Sequence, residues 1–225
     1  ITHPSVIRAV CDYVAIALRG KGRIVIGDNP HVDAEFDDIR KISYLDELSL
    51  LYKKNFKVEC TIVDLRQWHM RDLKYYGFKE GRVKLSGDPL GVSTINLGDK
   101  SLLRNIPVFW LRGTYTDRKE TIKHHIFDTQ EYIFSNSILS AHVFISIPKL
   151  KAHSKVGVTL NIKGLIGTIA EKNTLVHWRI GFPLLGGDEY PTPEKKIDYF
   201  KLFFQHLLLD IFTGKIFFRL RNFFN

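Results

Sequence analysis

The sequence predicts an α/β fold, in which a mainly parallel sheet is flanked by helices and a β-rich insertion lies in the middle of the chain. Two similar segments support this fold class. In each, apolar residues at helical spacing lead to a short strand, "RIVIGD" at residues 23–28 and "VECTIVD" at residues 58–64. Both strands are largely apolar, as expected of strands buried on both faces, and both end in aspartate.

The elements follow one another in a helix–strand order. A first helix is predicted over residues 5–18, after Pro4, and glycines then end it before the first strand. A second helix over residues 46–54 precedes the second strand. A helical approach over residues 131–141 precedes a third strand at residues 142–149, "HVFISIPK".

Three strand ends are expected at one edge of this sheet. If the strands are parallel neighbours, Asp28, Asp64 and Lys149 lie together at their carboxyl ends. Open parallel sheets bind ligands in the crevice outside those ends. The predicted topology therefore makes Asp28 and Lys149 candidate ligand-binding residues.

The chain is predicted to form one α/β domain over residues 1–196, followed by an aromatic helical segment over residues 197–225. Within the domain, residues 81–116 are the β-rich insertion, because short alternating runs are separated by Gly, Pro and Asp. In the C-terminal segment, large apolar side chains recur at helical spacing: Phe200, Phe203, Phe204, Leu207, Leu208 and Ile211. With its basic tail, the segment either packs on the core or makes peripheral membrane contact.

Composition favours a cytoplasmic protein with anionic partners. The chain has 33 Lys and Arg against 24 Asp and Glu, a formal charge of +9. Its two cysteines, Cys11 and Cys60, stand apart in apolar patterns, which indicates buried thiols in a reducing compartment and provides no iron–sulfur or zinc motif. Neither a signal peptide nor an apolar run of about 18 residues is visible, so a soluble protein is expected.

One basic segment contains the clearest candidate site. In "PKLKAHSKVGVTLNIKGLIG", residues 148–167, Lys149, Lys151 and His153 occupy alternate positions and point to one side of an extended chain. Between residues 132 and 170 there is no Asp or Glu to neutralise them. Like charges this close repel one another, so a bound anion or a distant aspartate is expected to compensate. Lys155 is interpreted as part of a solvated face.

The second half of the segment adds glycines and two further polar side chains. Gly157, Gly164 and Gly167 permit close backbone approach or positive φ, while Asn161 and Lys163 stand between them. Backbone N–H groups beside lysines are suited to anions. The spacing matches neither a P-loop nor a dinucleotide-binding fingerprint.

A glycine-rich stretch, residues 171–193, contains the remaining candidates. His177 is the best candidate for proton transfer, although a lone histidine beside Trp178 is also a common structural arrangement. Asp188 and Glu189 either neutralise the lysines or bind a divalent cation through oxygen ligands.

Four stretches resemble one known family. They are "ITHPSVIRAVCDYV" at residues 1–14, "IVIGDNP" at residues 24–30, "ISIPKLKAHSKVGVTLNIKGLIG" at residues 145–167 and "EKNTLVHWRIGFPLLGGDEYP" at residues 171–191. Together they resemble the domain-of-unknown-function family numbered 362, in a branch with a G-G-D-E-Y-P motif. The resemblance implies an α/β domain with a shared pocket, and the sequence departs from the family pattern at Gly164 and His142. Some relatives carry ferredoxin-like cysteine clusters that this chain lacks. The family pattern continues beyond Asn225, so the chain looks C-terminally truncated.

The leading hypothesis is an enzyme or binding protein for a phosphate- or carboxylate-bearing small molecule, with an unknown cofactor requirement. The candidate catalytic residues are His177, Lys151 and His153. The candidate ligand-binding residues are Lys149, Lys151, His153, Asn161, Lys163, Asp28, Asp188 and Glu189. No metal ligands are proposed.

Alternatives stay open beside it. The net charge and aromatic residues such as Trp110, Tyr115 and Trp178 are compatible with nucleic-acid binding, although no recognised motif is present. An iron–sulfur-associated redox protein would need cluster ligands from elsewhere. Known hydrolase templates are disfavoured because their motifs are absent, and His124–His125 is interpreted as part of a solvated helix face.

Overall fold

The computed structural model describes residues 2–72, 79–113, 118–153, 157–189, 191–192, 194–211 and 216. The chain divides into two compact units. The first unit comprises Ile1–Gln67, Leu85–Ser93 and Phe134–Ala170. The second unit comprises Trp68–Lys84, Thr94–Ile133 and Glu171–Asn225. Three features that the sequence singled out lie outside the described residues: Lys155, Tyr115 and the tail after Ile211, apart from residue 216.

The first unit opens with the predicted helix, α1 (Pro4–Leu18). Proline at its first position costs no hydrogen bond, because that N–H has no partner in a helix. The imidazole of His3 accepts a hydrogen bond from the backbone N–H of Ser5 and so caps the helix start. Arg19 ends the helix in the left-handed conformation, with φ of 50°.

Two parallel strands follow the pattern that the sequence predicts. β1 (Arg23–Asp28) pairs in parallel with β2 (Glu59–Asp64), with Ile24 opposite Cys60 and Asp28 opposite Asp64. Between them lie α2 (Phe36–Ile42), α3 (Leu45–Leu51) and a π-helical turn (Tyr52–Phe56). The shared edge predicted for Asp28 and Asp64 is thus confirmed.

The core of the first unit forms where α1, α3 and the π-helical turn cover the two strands. Its buried residues are Cys11, Ala15, Ile24, Leu45, Leu48, Tyr52, Val58 and Cys60. Burying a large apolar side chain contributes roughly 1.5–3 kcal/mol, so this cluster is the main stabilising contact of the unit. Tyr52 is fully buried, and its hydroxyl donates to the carboxylate of Asp12 at 2.8 Å, with the carbonyl oxygen of Arg8 3.1 Å from the same hydroxyl.

The predicted third strand is wrong. Residues 142–149 have no regular structure, and the apolar side chains of Val143, Phe144 and Ile145 are exposed. The approach to this segment is not a single helix either, because β7 (Glu131–Ser135) precedes a short helix, α5 (Asn136–Leu139). A strand forms only where a neighbour satisfies its backbone groups, and an apolar run does not by itself specify that neighbour.

The prediction of a mainly parallel sheet is also wrong. Only short two-stranded sheets occur among the described residues, and most are antiparallel. The antiparallel pairs are β3 (Trp68–Met70) with β4 (Arg82–Lys84), β6 (Leu111–Arg112) with β10 (Trp178–Arg179), and β8 (Lys151–His153) with β9 (Gly157–Thr159). A mixed fold of helices and strands is what remains of the predicted class. Lys149 therefore does not lie at the carboxyl end of a parallel strand.

The second unit combines the β3–β4 sheet and the β6–β10 sheet with α4 (Arg118–His124) and α7 (Lys196–Ile211). β5 (Val92–Asn96) pairs with β7. Residues 81–116 do contain several short strands, but the domain boundaries inferred from the sequence stay predictions. No helix among the described residues is long and apolar enough to cross a membrane.

Candidate functional site

The basic segment of the first unit forms a β-hairpin. In the pairing of β8 with β9, Lys151 lies opposite Thr159 and His153 lies opposite Gly157. Because side chains alternate along a strand, these four positions share one face of the hairpin. The predicted alignment of Lys151 with His153 is therefore present, and Gly157 and Thr159 complete the face.

Gly157 leaves room beside His153. Its φ of 76° lies in the left-handed region, which favours glycine, and no described atom comes within 4 Å of the place where a Cβ would stand. A larger residue at this position would strain the backbone and fill the space next to the imidazole. The hairpin face is thus open at the position opposite His153.

Lys163 meets the hairpin at His153. α6 (Asn161–Gly164) follows β9 directly, and the ammonium group of Lys163 donates a hydrogen bond to Nε2 of His153. Both side chains are half-buried. This donation requires a neutral imidazole with its proton on Nδ1. Two residues that are ten positions apart in the sequence are brought into direct contact.

Packing at Gly164 brings the strand approach close to α6. A Cβ at Gly164 would lie 3.2 Å from Cβ of Pro148 and 3.4 Å from the hydroxyl of Ser146. Such contacts are tighter than ordinary side-chain packing, so glycine allows this close approach. Lys149 follows Pro148 in the sequence, and Lys163 precedes Gly164. The close contact of Pro148 with Gly164 therefore brings the backbones of the two lysines near one another.

Thr159 adds a buried hydroxyl to the same face. The residue is 9% exposed, and its Oγ1 has no hydrogen-bond partner among the residues that the structure describes. A hydroxyl in this situation costs free energy unless water or a ligand satisfies it. Residues directly opposite in an antiparallel pair have Cβ atoms about 4.5–5.5 Å apart, so this hydroxyl lies near the base of Lys151.

The structure places the other candidates of the first unit at separate points. Asn161 is exposed at the start of α6. Asp28, at the end of β1, accepts a hydrogen bond from the backbone N–H of Asn29, whose amide in turn donates to the carbonyl of Ile169. A ligand-binding role for Asn161 or Asp28 stays a prediction.

Asp64, the neighbour of Asp28 in the register, is neutralised within the protein. The guanidinium of Arg66 donates to both of its carboxylate oxygens, with Nη2 2.7 Å from Oδ2. Nη1 of Arg66 donates to the carbonyls of His31 and Ala34, and the Arg66 side chain is 3% exposed. This aspartate therefore serves the fold of the first unit.

An open cavity of about 350 Å³ lies between α1 and α3 in the first unit. Its lining residues are His3, Pro4, Ser5, Arg8, Tyr44, Glu47, Leu48 and Leu51. Tyr44 adopts a left-handed conformation with φ of 51°, which is uncommon for an aromatic residue. None of the site residues predicted from the sequence lines this cavity.

The G-G-D-E stretch of the second unit is a tightly closed loop. Gly186 is left-handed, with φ of 74°, and ends a 3₁₀ turn (Pro183–Leu185). Gly187 packs directly on backbone, because a Cβ there would lie 2.5 Å from the carbonyl oxygen of Ile180. Both glycines are therefore needed for the path of the chain. Tyr190, which follows the motif's acidic pair, lies outside the described residues.

The two carboxylates of this loop bind backbone N–H groups. Asp188 accepts from the N–H of Arg179 at 2.6 Å, and Glu189 accepts from the N–H of Gly181 at 3.3 Å. These hydrogen bonds explain why acidic residues follow the glycine pair. Their proposed role as ligands for a cation or for the lysines stays a prediction.

His177 lies just before β10 in the second unit. Its exposed ring packs on Trp178, with ring centroids 4.5 Å apart. Its backbone N–H donates to the carbonyl of Arg112 at 2.7 Å, which extends the pairing of β10 with β6. Both contacts are also compatible with a structural role at the end of the β6–β10 sheet. The proton-transfer role of His177 therefore stays a prediction.

The interpretation of His124–His125 as a solvated helix face is wrong. Both residues are buried: His124 contacts the carboxylate of Glu131 at 2.9 Å, and His125 contacts Gln130 and the carbonyl of Thr174. Charged neighbours along the sequence suggested exposure. The helix ends at His124, however, so the helical face does not continue through His125. The side chain of His124 contacts Glu131 of β7, and that of His125 contacts the 3₁₀ turn Lys172–Thr174. No spacing pattern in the sequence signals this arrangement.

The donor groups of the described residues do not fit an iron–sulfur cluster or a metal centre. Cys11 and Cys60 are free thiols within one apolar core, and no group of three or more His, Cys, Asp or Glu side chains in the described part of the chain is arranged to hold a metal ion. A cluster of the common types needs four ligands. The thiols are buried, as the sequence predicts, and they serve packing.

One known family matches the part of the chain that contains all of these candidates except Asp28. The family model described as Domain of unknown function (DUF362) matches residues 93–216. The chain belongs to this family. The match spans the β8–β9 hairpin, α6 and the glycine-rich loop, and it confirms the resemblance seen in the sequence. The branch with the G-G-D-E-Y-P motif and the C-terminal truncation of this DUF362 chain stay predictions.

Two further comparisons add no relative. Neither the curated proteins nor the solved structures contain a match to this DUF362 chain. The family description assigns no activity. A fold shared within a family does not by itself determine an activity, which depends on the side chains that the fold brings together.

Proposed function

We propose that the first unit binds an anionic small molecule, bearing a phosphate or a carboxylate, at the face of the β8–β9 hairpin. Lys151 and Lys163 supply the positive charge, Lys149 adds charge at the approach to β8, and His153 lies between them. The protein is either an enzyme or a binding protein for this molecule. The observation that carries the proposal is the contact between Lys163 and His153, which gathers the basic side chains of two elements at one place.

Electrostatics support an anion here. No Asp or Glu occurs between residues 132 and 170, so the sequence around the hairpin provides no counter-charge. Bringing Lys151 and Lys163 to one face costs free energy because their positive charges repel each other. A bound anion attracts both ammonium groups, so the net electrostatic contribution becomes favourable. Charge-assisted hydrogen bonds from ammonium groups to phosphate or carboxylate oxygens are also stronger than neutral ones.

Space and polarity support a small ligand. The position opposite His153 is open at Gly157, and the buried hydroxyl of Thr159 is available to donate to an oxygen atom. Asn161 would add a neutral hydrogen bond from the start of α6. A cytoplasmic location belongs to the same proposal, and the two free thiols support it, because a reducing compartment keeps such pairs unlinked.

The proposal is tested by calorimetric titration with inorganic phosphate and, separately, with citrate. The variants Lys151→Met and Lys163→Met should each weaken binding of the preferred probe by about tenfold or more, the loss expected for a charge-assisted hydrogen bond. Their melting temperatures should stay within about 2 °C of the wild type. The matched control is Lys54→Met, which removes an exposed lysine of the π-helical turn and the same charge.

Three outcomes would overturn the proposal. One is the absence of heat with both probes in the wild type. Another is an equal loss of affinity in Lys54→Met, which would show a general effect of net charge. The third is a parallel loss of binding and of melting temperature in Lys151→Met and Lys163→Met, which would make these lysines structural.

A further inference from the structure

One helix of the second unit presents an apolar face to solvent. Five side chains of α7 are between 42% and 72% exposed, although all are large and apolar. They are Ile197, Phe200, Phe204, Leu207 and Ile211. Their spacing of three and four residues places them along one side of the helix. Together they form an exposed apolar stripe, named here the α7 stripe.

A side of α7 next to the stripe contacts the protein. The ring of Tyr199 packs on Phe182, with ring centroids 4.6 Å apart, and Phe182 is buried. Tyr199 is one residue from Phe200, which corresponds to a rotation of about 100° around the helix. The helix is therefore fixed to the second unit by one side while the α7 stripe faces outward. Contiguous apolar surface of this kind marks a binding surface.

The sequence after the stripe favours an anionic occupant. Over residues 211–225 the charged residues are Lys215, Arg219 and Arg221, and no Asp or Glu occurs. The same stretch contains five phenylalanines. Basic residues next to aromatic and aliphatic side chains are the composition by which peripheral helices bind anionic lipid headgroups and acyl chains.

We propose that the α7 stripe docks the protein on an anionic membrane surface. The apolar side chains enter the boundary between headgroups and acyl chains, while Lys215, Arg219 and Arg221 bind lipid phosphates and carboxylates. A second copy of the chain is a less suitable occupant. Pairing two copies brings two stretches of the same positive charge into one assembly, whereas an anionic bilayer attracts that charge.

The test uses flotation of the full chain with vesicles. We expect binding to phosphatidylcholine vesicles with roughly 30% phosphatidylserine, about tenfold or more weaker binding to pure phosphatidylcholine, and loss of the difference at about 0.5 M salt. The variant Phe200→Asp/Phe204→Asp should bind at least about tenfold less to either vesicle, because charges would enter the apolar boundary. In the variant Lys215→Gln/Arg219→Gln/Arg221→Gln, the affinity for phosphatidylserine-containing vesicles should fall about fivefold for each residue replaced. Its affinity for pure phosphatidylcholine vesicles should stay unchanged.

The matched control is Leu102→Asp/Phe109→Asp, which places the same two charges at exposed apolar residues elsewhere in the second unit and should leave flotation unchanged. Circular dichroism verifies that each variant is folded. The proposal is overturned if wild type does not float, or if Leu102→Asp/Phe109→Asp and Phe200→Asp/Phe204→Asp lose equal binding. It is also overturned if light scattering shows a wild-type dimer that Phe200→Asp/Phe204→Asp converts to monomer while vesicles are not bound.

Discussion

Asp88 binds Ser137 through both of its carboxylate oxygens. Oδ2 accepts from the backbone N–H of Ser137 at 2.7 Å, and Oδ1 accepts from its hydroxyl at 2.6 Å. The hydroxyl of Ser135 and the N–H of Leu90 donate to the same carboxylate. Asp88 is buried, and by these contacts it satisfies N–H groups at the start of α5 and connects the turn at residues 88–91 to that helix.

Loss of the negative charge at Asp88 should destabilise the first unit. Replacement by asparagine keeps the shape, but an amide nitrogen cannot accept these hydrogen bonds. We expect Asp88→Asn to lower the free energy of unfolding by about 1–3 kcal/mol at neutral pH, measured by urea denaturation. Asp38→Asn, at an exposed carboxylate of α2, is the control and should change it by less than about 0.5 kcal/mol. Equal effects of the two substitutions would contradict the role given to Asp88.

The stability contributed by Asp88 should be lost in acid. Burial alone would raise the pKa of Asp88, but hydrogen bonds from Ser135, Ser137 and Leu90 outweigh it and lower the pKa below its ordinary value. A carboxyl whose pKa is lower in the folded state contributes its full stability above the unfolded pKa of about 3.9. That stability disappears as the pH falls through the folded pKa. The free energy of unfolding of Asp88→Asn should therefore depend less steeply on pH below about pH 4 than that of the wild type.

Arg66 and Asp64 should behave as a coupled pair. Because the Arg66 guanidinium is buried and shared between Asp64 and two carbonyls, Arg66→Met leaves a partly buried carboxylate without its counter-charge. We expect a loss of about 3 kcal/mol in the free energy of unfolding. The double variant Arg66→Met/Asp64→Asn should be more stable than Arg66→Met alone, because the uncompensated charge is gone. Strict additivity of the two single substitutions in a double-mutant cycle would contradict this coupling.

The sequence predicts the part of the fold that depends on local pattern. β1 and β2 were recognisable because each is a short apolar run after a helical stretch, and their register places Asp28 opposite Asp64 as expected. Residues 142–149 have an equally apolar pattern but lack regular structure. Which strands pair is decided by contacts distant in sequence, so the apolar run alone could not distinguish a buried strand from an exposed connection.

In the candidate site, too, the sequence predicts the local arrangement of side chains but not the contacts between residues distant in the sequence. Alternation in the sequence is enough to place Lys151 and His153 on one face, and the hairpin confirms that alignment. The contact between His153 and Lys163 depends on how α6 returns to the hairpin, which no spacing rule specifies. Likewise, no spacing rule specifies the hydrogen bonds that the carboxylates of Asp188 and Glu189 accept from backbone N–H groups, and their ligand-binding role stays a prediction.

The two thiols should react slowly in the folded protein. Burial is the main cause that raises the pKa of Cys11 to about 11 and that of Cys60 to about 12, against about 8.5 for an exposed thiol. At pH 8 the thiolate fraction is therefore small, and access is blocked as well. We expect a disulfide reagent to modify the native protein roughly 100-fold more slowly than the protein in guanidinium.

Single-cysteine variants resolve the two sites. Cys11→Ala and Cys60→Ala each leave one thiol, and both should stay protected at pH 8. Since the folded pKa values are raised, stability should fall as the pH rises above about 8.5, where the unfolded thiols ionise. Fast modification of either single-cysteine variant under native conditions would show that its thiol is not part of the closed core.

Gly187 should be far less tolerant of substitution than Gly167. A Cβ at Gly187 would lie 2.5 Å from the carbonyl oxygen of Ile180, whereas no described atom is within 4 Å of the corresponding point at Gly167. Because the obstacle at Gly187 is backbone, Gly187→Ala must shift the loop and weaken the hydrogen bonds of Asp188 and Glu189. We expect it to lower the free energy of unfolding by about 1–3 kcal/mol. Gly167→Ala should change it by less than about 0.5 kcal/mol. Thermal denaturation of both variants measures the difference, and equal melting temperatures would show that the loop does not pack as closely as its backbone indicates.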